Sequence, residues 1–120
     1  MRPFPHVLIA DDEDPIRSLL ARIMARTYPA VHLSLANDGL DALRAFDHDP
    51  ADLVLTNYDM PRLNGAALVQ ALRTRSTSVP IVMITANPTI AAQISGIDAF
   101  IVKPFRAREV QLVVTRLLPP

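Results

Sequence analysis

The sequence of 120 residues predicts an α/β fold in which helices cover both faces of one five-stranded parallel sheet, a doubly wound arrangement. Short apolar runs alternate with segments of helical periodicity, which is the pattern of successive strand–helix units. Most of the runs are continuously apolar, as strands buried on both faces require. Half of the residues are hydrophobic, which suffices for the core of one domain over residues 1–120.

The first unit is a strand at Val7–Ala10 followed by an amphipathic helix. We expect Asp14 to cap this helix and Pro15 to be its first residue, because proline lacks only an N–H that is unpaired at that position. A stripe at helical spacing faces the core. Its members are Ile16, Leu19, Leu20, Ile23 and Met24.

The second and third units follow the same pattern. An edge strand at Val31–Leu35 alternates apolar and polar residues, and Asn37 or Asp38 can cap the next helix. The third strand, Leu53–Thr56, leads through a loop rich in turn formers into a third helix. The apolar residues predicted to face inward on these two helices are Leu40, Leu43, Phe46, Leu68, Val69 and Leu72.

The last two units include a shortened helix. After the fourth strand, Val79–Ile84, only residues Asn87–Gly96 are available before the fifth strand, Ala99–Val102. Pro88 occupies the start of that interval, so about two helical turns remain. The final helix carries an apolar stripe at Val110, Val113, Val114, Leu117 and Leu118.

Polar residues end four of the five predicted strands. Asp11 and Asp12 follow the first strand, Asn57 the third, Thr85 the fourth and Lys103 the fifth. Functional groups of such sheets gather at the carboxyl ends of the strands, so we expect these side chains to meet at one edge. Two acids suit Mg²⁺, which prefers hard oxygen ligands. The alternative is an acidic helix start that complements the helix dipole.

Composition excludes several classes of protein. Twelve basic and twelve acidic residues give no net charge, so nucleic-acid or anionic-membrane binding is not expected. The chain has no cysteine, which fits a cytoplasmic location. No apolar stretch approaches the ~18 residues of a membrane span, and an acidic run beginning at Asp11 ends the first apolar run, unlike a signal peptide. The histidines, His6, His32 and His48, have no ligand spacing, and we expect surface or half-buried positions for them.

Four segments together resemble the receiver domain of two-component response regulators. They occur in the family's order and at near-family spacing over essentially the whole chain, which makes the match specific although each piece alone is weak. The resemblance implies a flavodoxin-like (βα)5 fold and a signalling role rather than an enzyme activity. The segments are Val7–Glu13, Asp52–Pro61 with Gly65, Pro80–Ala86 and Lys103–Phe105.

The resemblance also implies roles for the residues at the sheet edge. Asp11 and Asp12 would hold Mg²⁺, with the backbone carbonyl of Asp59 as a further ligand. Position 57 would accept a phosphoryl group from a histidine kinase or phosphotransfer protein. In this chain that position is Asn57, whose amide is far less nucleophilic than a carboxylate. The Asn57 carbonyl oxygen can still ligate a cation, but without charge, so Mg²⁺ affinity falls. Asp59 is a less favoured acceptor, because the family uses only its backbone.

The remaining implied roles concern the phosphoryl group and the switch. Thr85 would hydrogen-bond a phosphoryl oxygen and Lys103 would pair with it, with a cis peptide before Pro104. Phe100 would be the switch aromatic, which turns inward when Thr85 moves. Read alone, Thr85 is an ordinary strand residue and Phe100 is a core or half-buried aromatic.

Two departures from the family pattern leave the function open. Asn57 replaces the acceptor, either naturally or as a substitution that blocks phosphorylation. The short fourth helix falls on the face that the family uses for output domains and homodimers, so that surface is not carried over. Three functions remain: a receiver that switches on phosphorylation, a phosphorylation-independent docking module, and, least favoured, a Mg²⁺-dependent phosphoryl-transfer enzyme.

Overall fold

The computed structural model describes residues 4–120 and confirms the five-stranded parallel sheet with helices on both faces. The strand order is β2-β1-β3-β4-β5, and every neighbouring pair is parallel. The strands are β1 His6–Ala10, β2 His32–Ala36, β3 Leu53–Asn57, β4 Ile81–Thr85 and β5 Ala99–Val102. The helices are α1 Asp14–Thr27, α2 Gly39–His48, α3 Gly65–Arg75, α4 Pro88–Gln93 and α5 Ala107–Leu117. The predicted domain, residues 1–120, includes three residues outside the described range.

Two hydrophobic cores lie on opposite faces of the sheet. Helices α1 and α5 cover one face, where Leu20, Met24 and Val110 pack against the strands. Helices α2 and α3 cover the other, with Phe46 and Leu68 in the core. β1, β3 and β4 are buried along their whole length, as their unbroken apolar runs predict.

Several predicted boundaries shift by one or two residues. Helix α1 begins at Asp14 itself, with Glu13 at the N-cap position, and the Asp14 carboxylate pairs with Arg17 instead of capping the helix. Strand β4 begins at Ile81, two residues later than predicted, and β2 runs one residue later than predicted. On β2, Leu35 is exposed because it lies on the outer edge strand beyond the reach of the core.

The predicted surface or half-buried position is wrong for His6, which is buried, and right for His32, which is exposed. His6 is only 1% exposed, and its ring lies 4.6 Å from the ring of His32, centroid to centroid. The pairing of β1 with β2 places these two residues side by side, although they are 26 positions apart in sequence. His48 is exposed, as expected.

The fourth helix is short, as predicted. It has six residues, and the Asn87 side chain caps it by accepting from the backbone N–H groups of Thr89 (3.0 Å) and Ile90 (3.2 Å). So short a helix leaves part of β5 uncovered, and Phe100 and Val102 are 41% and 38% exposed. The core or half-buried position predicted for Phe100 is therefore wrong, because the side chain is exposed.

Gly65 allows α3 to begin directly against the end of β3. A Cβ atom at Gly65 would lie 2.3 Å from the backbone oxygen of Asn57, and the Gly65 N–H donates to the Tyr58 carbonyl (2.7 Å). This close approach fixes the loop that follows Asn57. Gly65→Ala should lower the free energy of unfolding by about 1–3 kcal/mol, because backbone must move to admit the methyl group.

Urea denaturation measures this change. At an unhindered helix start the same substitution is neutral or stabilising by up to ~1 kcal/mol. A Gly65→Ala protein as stable as wild type would therefore contradict the close approach. Ala66→Gly is the neighbouring control and should cost no more than ~1 kcal/mol.

Tyr28 ties the end of α1 to the end of α5. Its buried hydroxyl lies within hydrogen-bonding distance of the carbonyls of Val114 (3.1 Å) and Leu118 (2.6 Å), to which it donates. Burial raises the pKa of Tyr28 from 10.0 to about 12, because the phenolate is poorly solvated there.

The raised pKa of Tyr28 predicts a loss of stability in alkali. The Tyr28 hydroxyl loses its proton near pH 10 in the unfolded chain and near pH 12 in the folded chain. The stability that the neutral hydroxyl contributes below pH 10 is therefore lost as the pH rises from 10 to 12. The loss reaches about 2–3 kcal/mol. Tyr28→Phe should cost about 1 kcal/mol at neutral pH and lack this alkaline loss. Urea denaturation of wild type and Tyr28→Phe between pH 10 and pH 12 tests this prediction. Equal losses of stability in the two proteins would contradict it.

Candidate functional site

The side chains predicted to meet at the carboxyl edge of the sheet do lie there together. The Lys103 amine donates to Asp11 Oδ2 (3.3 Å) and to Asn57 Oδ1 (3.2 Å). The Asn57 amide nitrogen donates to Asp12 Oδ1 at 3.3 Å. Parallel pairing of β1, β3, β4 and β5 brings the ends of these strands to one rim, so the convergence follows from the topology.

Asp11 is the buried acid of the group. Its side chain is fully buried, Oδ1 accepts from the Glu13 N–H (2.9 Å), and Oδ2 accepts from Lys103. Burial raises the pKa of Asp11 above its ordinary value, while the Glu13 N–H and the Lys103 ammonium act in the opposite direction. Lys103 thus compensates part of the cost of an acid placed out of water.

Asn57 is held in one orientation by charged neighbours on both sides. Its oxygen faces the Lys103 ammonium, and its nitrogen donates to Asp12 Oδ1 and to the Asp59 carbonyl (2.8 Å). Reversing the amide would bring an NH₂ group against an ammonium and an oxygen against a carboxylate, so the hydrogen-bond network fixes this assignment.

The orientation of Asn57 bears directly on cation binding. Asp11, Asp12 and the Asp59 carbonyl are hard oxygen donors of the kind that Mg²⁺ prefers, so the donor set fits that ion. The Asn57 nitrogen, however, donates hydrogen bonds to two of these oxygen ligands, Asp12 and the Asp59 carbonyl. The predicted ligation by the Asn57 carbonyl oxygen would require the amide to leave Lys103 and turn over.

Thr85 and the peptide before Pro104 complete the edge. Thr85 is buried, its hydroxyl accepts from the Asn87 N–H (3.1 Å), and its carbonyl accepts from the Lys103 N–H (2.8 Å). The Lys103–Pro104 peptide is cis, as the resemblance implied. Phe100 lies on β5 with its ring partly in solvent, on the strand adjacent to Thr85.

Sequence reasoning missed two charged residues of this edge. Glu13 Oε1 lies 3.6 Å from the Lys103 amine, and the Arg17 guanidinium donates to the Asp11 carbonyl at 2.8 Å. Both follow Asp11 closely in sequence, within the acidic run and the first turns of α1. The spacing of six residues between Asp11 and Arg17 was the available signal, but spacing alone does not reveal a hydrogen bond to a backbone carbonyl.

The loop after Asn57 is anchored to α2 by an ion pair. Arg62, at φ 67°, donates through Nε to Asp38 Oδ2 (2.9 Å) and through Nη2 to Asp41 Oδ1 (2.8 Å). The N-cap hydrogen bond from the Asp41 N–H, together with the Arg62 guanidinium, holds the pKa of the Asp38 carboxyl below its ordinary value. The anchor stabilises the segment that presents the Asp59 carbonyl.

Comparison with known proteins places this geometry in context. The family model described as "Response regulator receiver domain" matches residues 7–115. The chain is 36% identical over 117 residues to a "Probable transcriptional regulator ycf27" of Guillardia theta, covering 93% of this chain and 44% of that protein. It is 30% identical to "Response regulator MprA" of Mycobacterium leprae, covering 93% and 50%. The chain thus spans about half the length of the curated relatives it matches.

Solved structures agree with these matches. The receiver domain of NtrX from Brucella abortus superimposes with a TM-score of 0.83 at 32% identity, covering 93% of this chain and 97% of that one. The chemotaxis response regulator CheY4 of Vibrio cholerae superimposes with a TM-score of 0.86 at 24% identity, covering 96% and 99%, which supports the fold. The flavodoxin-like fold is thereby confirmed.

The amide contacts predict how Mg²⁺ binding responds to residue 57. Asn57→Asp should strengthen Mg²⁺ binding by at least about tenfold, because it adds a charge and removes the N–H donors from Asp12 and the Asp59 carbonyl. A ¹H–¹⁵N NMR titration with MgCl₂ measures the affinity. Asp59→Asn is the control and should change the affinity little, since the backbone oxygen remains. Equal affinities with Asn and Asp at position 57 would contradict the interpretation.

Proposed function

The chain belongs to the response regulator receiver domain family of two-component signalling, and on that premise we propose that it is a receiver blocked at its phosphoacceptor position by Asn57. Family members pair with histidine kinases or phosphotransfer proteins. With aspartate at position 57 this chain would take a phosphoryl group from such a partner. With asparagine it does not.

One observation carries this proposal. The side-chain oxygen of Asn57 lies 3.2 Å from the Lys103 amine, and its nitrogen lies 3.3 Å from Asp12. An aspartate of the same shape would place a carboxylate oxygen at the site of each of these atoms. One oxygen would pair with Lys103, and the other would be available as the nucleophile beside the acidic pair.

The chemistry would be a phosphoryl transfer between side chains. A carboxylate oxygen of aspartate 57 attacks phosphorus, an O–P bond forms, and the N–P bond to the donor histidine breaks, so that the imidazole leaves with the electron pair. Lys103 pairs with the phosphoryl group and the Thr85 hydroxyl donates to one of its oxygens. Mg²⁺ held by Asp11, Asp12 and the Asp59 carbonyl would neutralise charge on the phosphoryl oxygens.

Thr85 and Phe100 would transmit the change. The Lys103 backbone N–H donates a hydrogen bond to the Thr85 carbonyl, so a movement at the end of β4 would be passed to the end of β5. A phosphoryl group that draws the Thr85 hydroxyl inward would vacate space for the Phe100 ring, which is now partly in solvent. Such a two-state equilibrium would alter the surface near β5 that a partner contacts.

A second candidate function is docking without phosphorylation. It is favoured by the hydrogen bonds of Asn57, because its oxygen accepts from Lys103 and its nitrogen donates to Asp12 and the Asp59 carbonyl, so that the protein itself satisfies the amide. In that case the asparagine would hold the domain in one conformation for a constitutive partner.

The remaining expectations concern the setting of the domain. We propose a single domain over residues 1–120 that signals instead of turning over a substrate and acts in the cytoplasm without binding nucleic acid itself. An output domain or a second copy of the chain are candidate partners, since the relatives are about twice as long. Within residues 4–120, no helix has the length and hydropathy needed to cross a bilayer.

Mass spectrometry after incubation with a small phosphodonor and Mg²⁺ tests the proposal. Asn57→Asp should gain the mass of one phosphoryl group, and the present chain should gain none. Adding Asp59→Asn to the Asn57→Asp protein is the matched control and should leave the gain intact.

The competing functions predict other results. No gain in either protein, both being folded, would reject the blocked receiver and favour the docking module. A gain in the chain with Asn57 that Asp59→Asn abolishes would assign the acceptor to Asp59. Turnover of free phosphate esters would indicate an enzyme.

A further inference from the structure

A second group of potential metal ligands lies at the opposite end of the sheet from Asn57. His6 begins β1, His32 begins β2, and the two are register partners across the parallel pair. Asp49 follows the last residue of α2 and brings its carboxylate to the same place. None of these residues takes part in the acidic site at the carboxyl edge.

The three side chains are nearly close enough to share one ion. One ligand atom from each lies within 4.8 Å of the others. Asp49 Oδ2 is 3.7 Å from His6 Nδ1 and 3.9 Å from His32 Nε2. Ligand atoms around a tetrahedral zinc ion, with bonds of about 2.0–2.1 Å, lie about 3.4 Å apart. The side chains of His32 and Asp49 are 61% and 44% exposed, and small movements of both would shorten these distances to the spacing of zinc ligands.

His6 is the fixed member of the group. Its side chain is 1% exposed, and Nε2 lies 2.7 Å from the hydroxyl of Ser34. If the ring proton is on Nε2 and is donated to Ser34, Nδ1 carries a lone pair and lies 3.7 Å from Asp49 Oδ2. In metal-binding imidazoles, a hydrogen bond from the ring nitrogen that does not bind the metal fixes the orientation of the ring. The Pro50 carbonyl, 3.3 Å from Nδ1, favours the tautomer whose proton is on Nδ1. A metal ion that binds Nδ1 must therefore displace that proton.

We propose that His6 Nδ1, His32 Nε2 and the Asp49 carboxylate form a site for a divalent transition metal of the zinc class. Two imidazoles and one carboxylate suit Zn²⁺ or Co²⁺ and not Mg²⁺, which prefers oxygen ligands. Three protein ligands leave a fourth position for water. The ion would join the start of β1, the start of β2 and the end of α2, and so would stabilise the fold independently of the acidic site.

Titration of the whole chain with ZnCl₂ in the presence of excess Mg²⁺ tests the site, with isothermal calorimetry as the readout. Wild type should bind one Zn²⁺ per chain, and its melting temperature should rise. His32→Asn and Asp49→Asn should each lower the affinity at least about tenfold, the loss typical of a disrupted metal environment. His48→Asn is the matched control, since His48 is exposed on α2 near Asp49, and it should bind as wild type.

Cobalt provides a second readout that does not depend on stability. Co²⁺ bound by wild type and by His48→Asn should give visible absorption bands of a four-coordinate ion, which His32→Asn should lack. Three results would overturn the proposal: a dissociation constant weaker than about 1 mM for wild type, equal binding by His32→Asn, or displacement of Zn²⁺ by Mg²⁺, which would place the ion at Asp11 and Asp12.

Discussion

The buried carboxylate of Asp11 is the constraint on which the functional edge depends. An acid removed from water must be compensated, and here the Glu13 N–H and the Lys103 ammonium do so. Because Lys103 comes from β5 and Asp11 follows β1, this pairing joins residues 92 positions apart across the central strands. Lys103 also contacts Asn57 on the strand between them, so one ammonium organises three strand ends.

Asparagine at position 57 satisfies this network without supplying the expected chemistry. An amide has the shape of a carboxylate but places donors where a carboxylate has an oxygen. Those donors engage Asp12 and the Asp59 carbonyl, two groups that the family would direct toward Mg²⁺. The site is therefore internally satisfied, and the fold is compatible both with a blocked receiver and with a docking module that requires no phosphoryl group.

The sequence predicted the strands well because continuous apolar runs have few alternatives in a sheet buried on both faces. It predicted the meeting of Asp11, Asn57 and Lys103 because parallel strands bring their carboxyl ends to one rim. It missed the contact of His6 with His32, which depends on the register between β1 and β2, and register is a tertiary property. It also missed the exposure of Phe100, since a short helix does not reveal how much of β5 it covers.

The ionisation of Asp11 tests the central pairing most directly. Carboxyl ¹³C NMR titration in the presence of a chelator would follow Asp11 in wild type and in Lys103→Met, with Arg108→Met as an exposed control. We expect a pKa of Asp11 above its ordinary value in wild type, because burial dominates, and a further rise in Lys103→Met, because the compensating charge is gone. An Asp11 pKa that is the same in wild type and Lys103→Met would contradict the pairing.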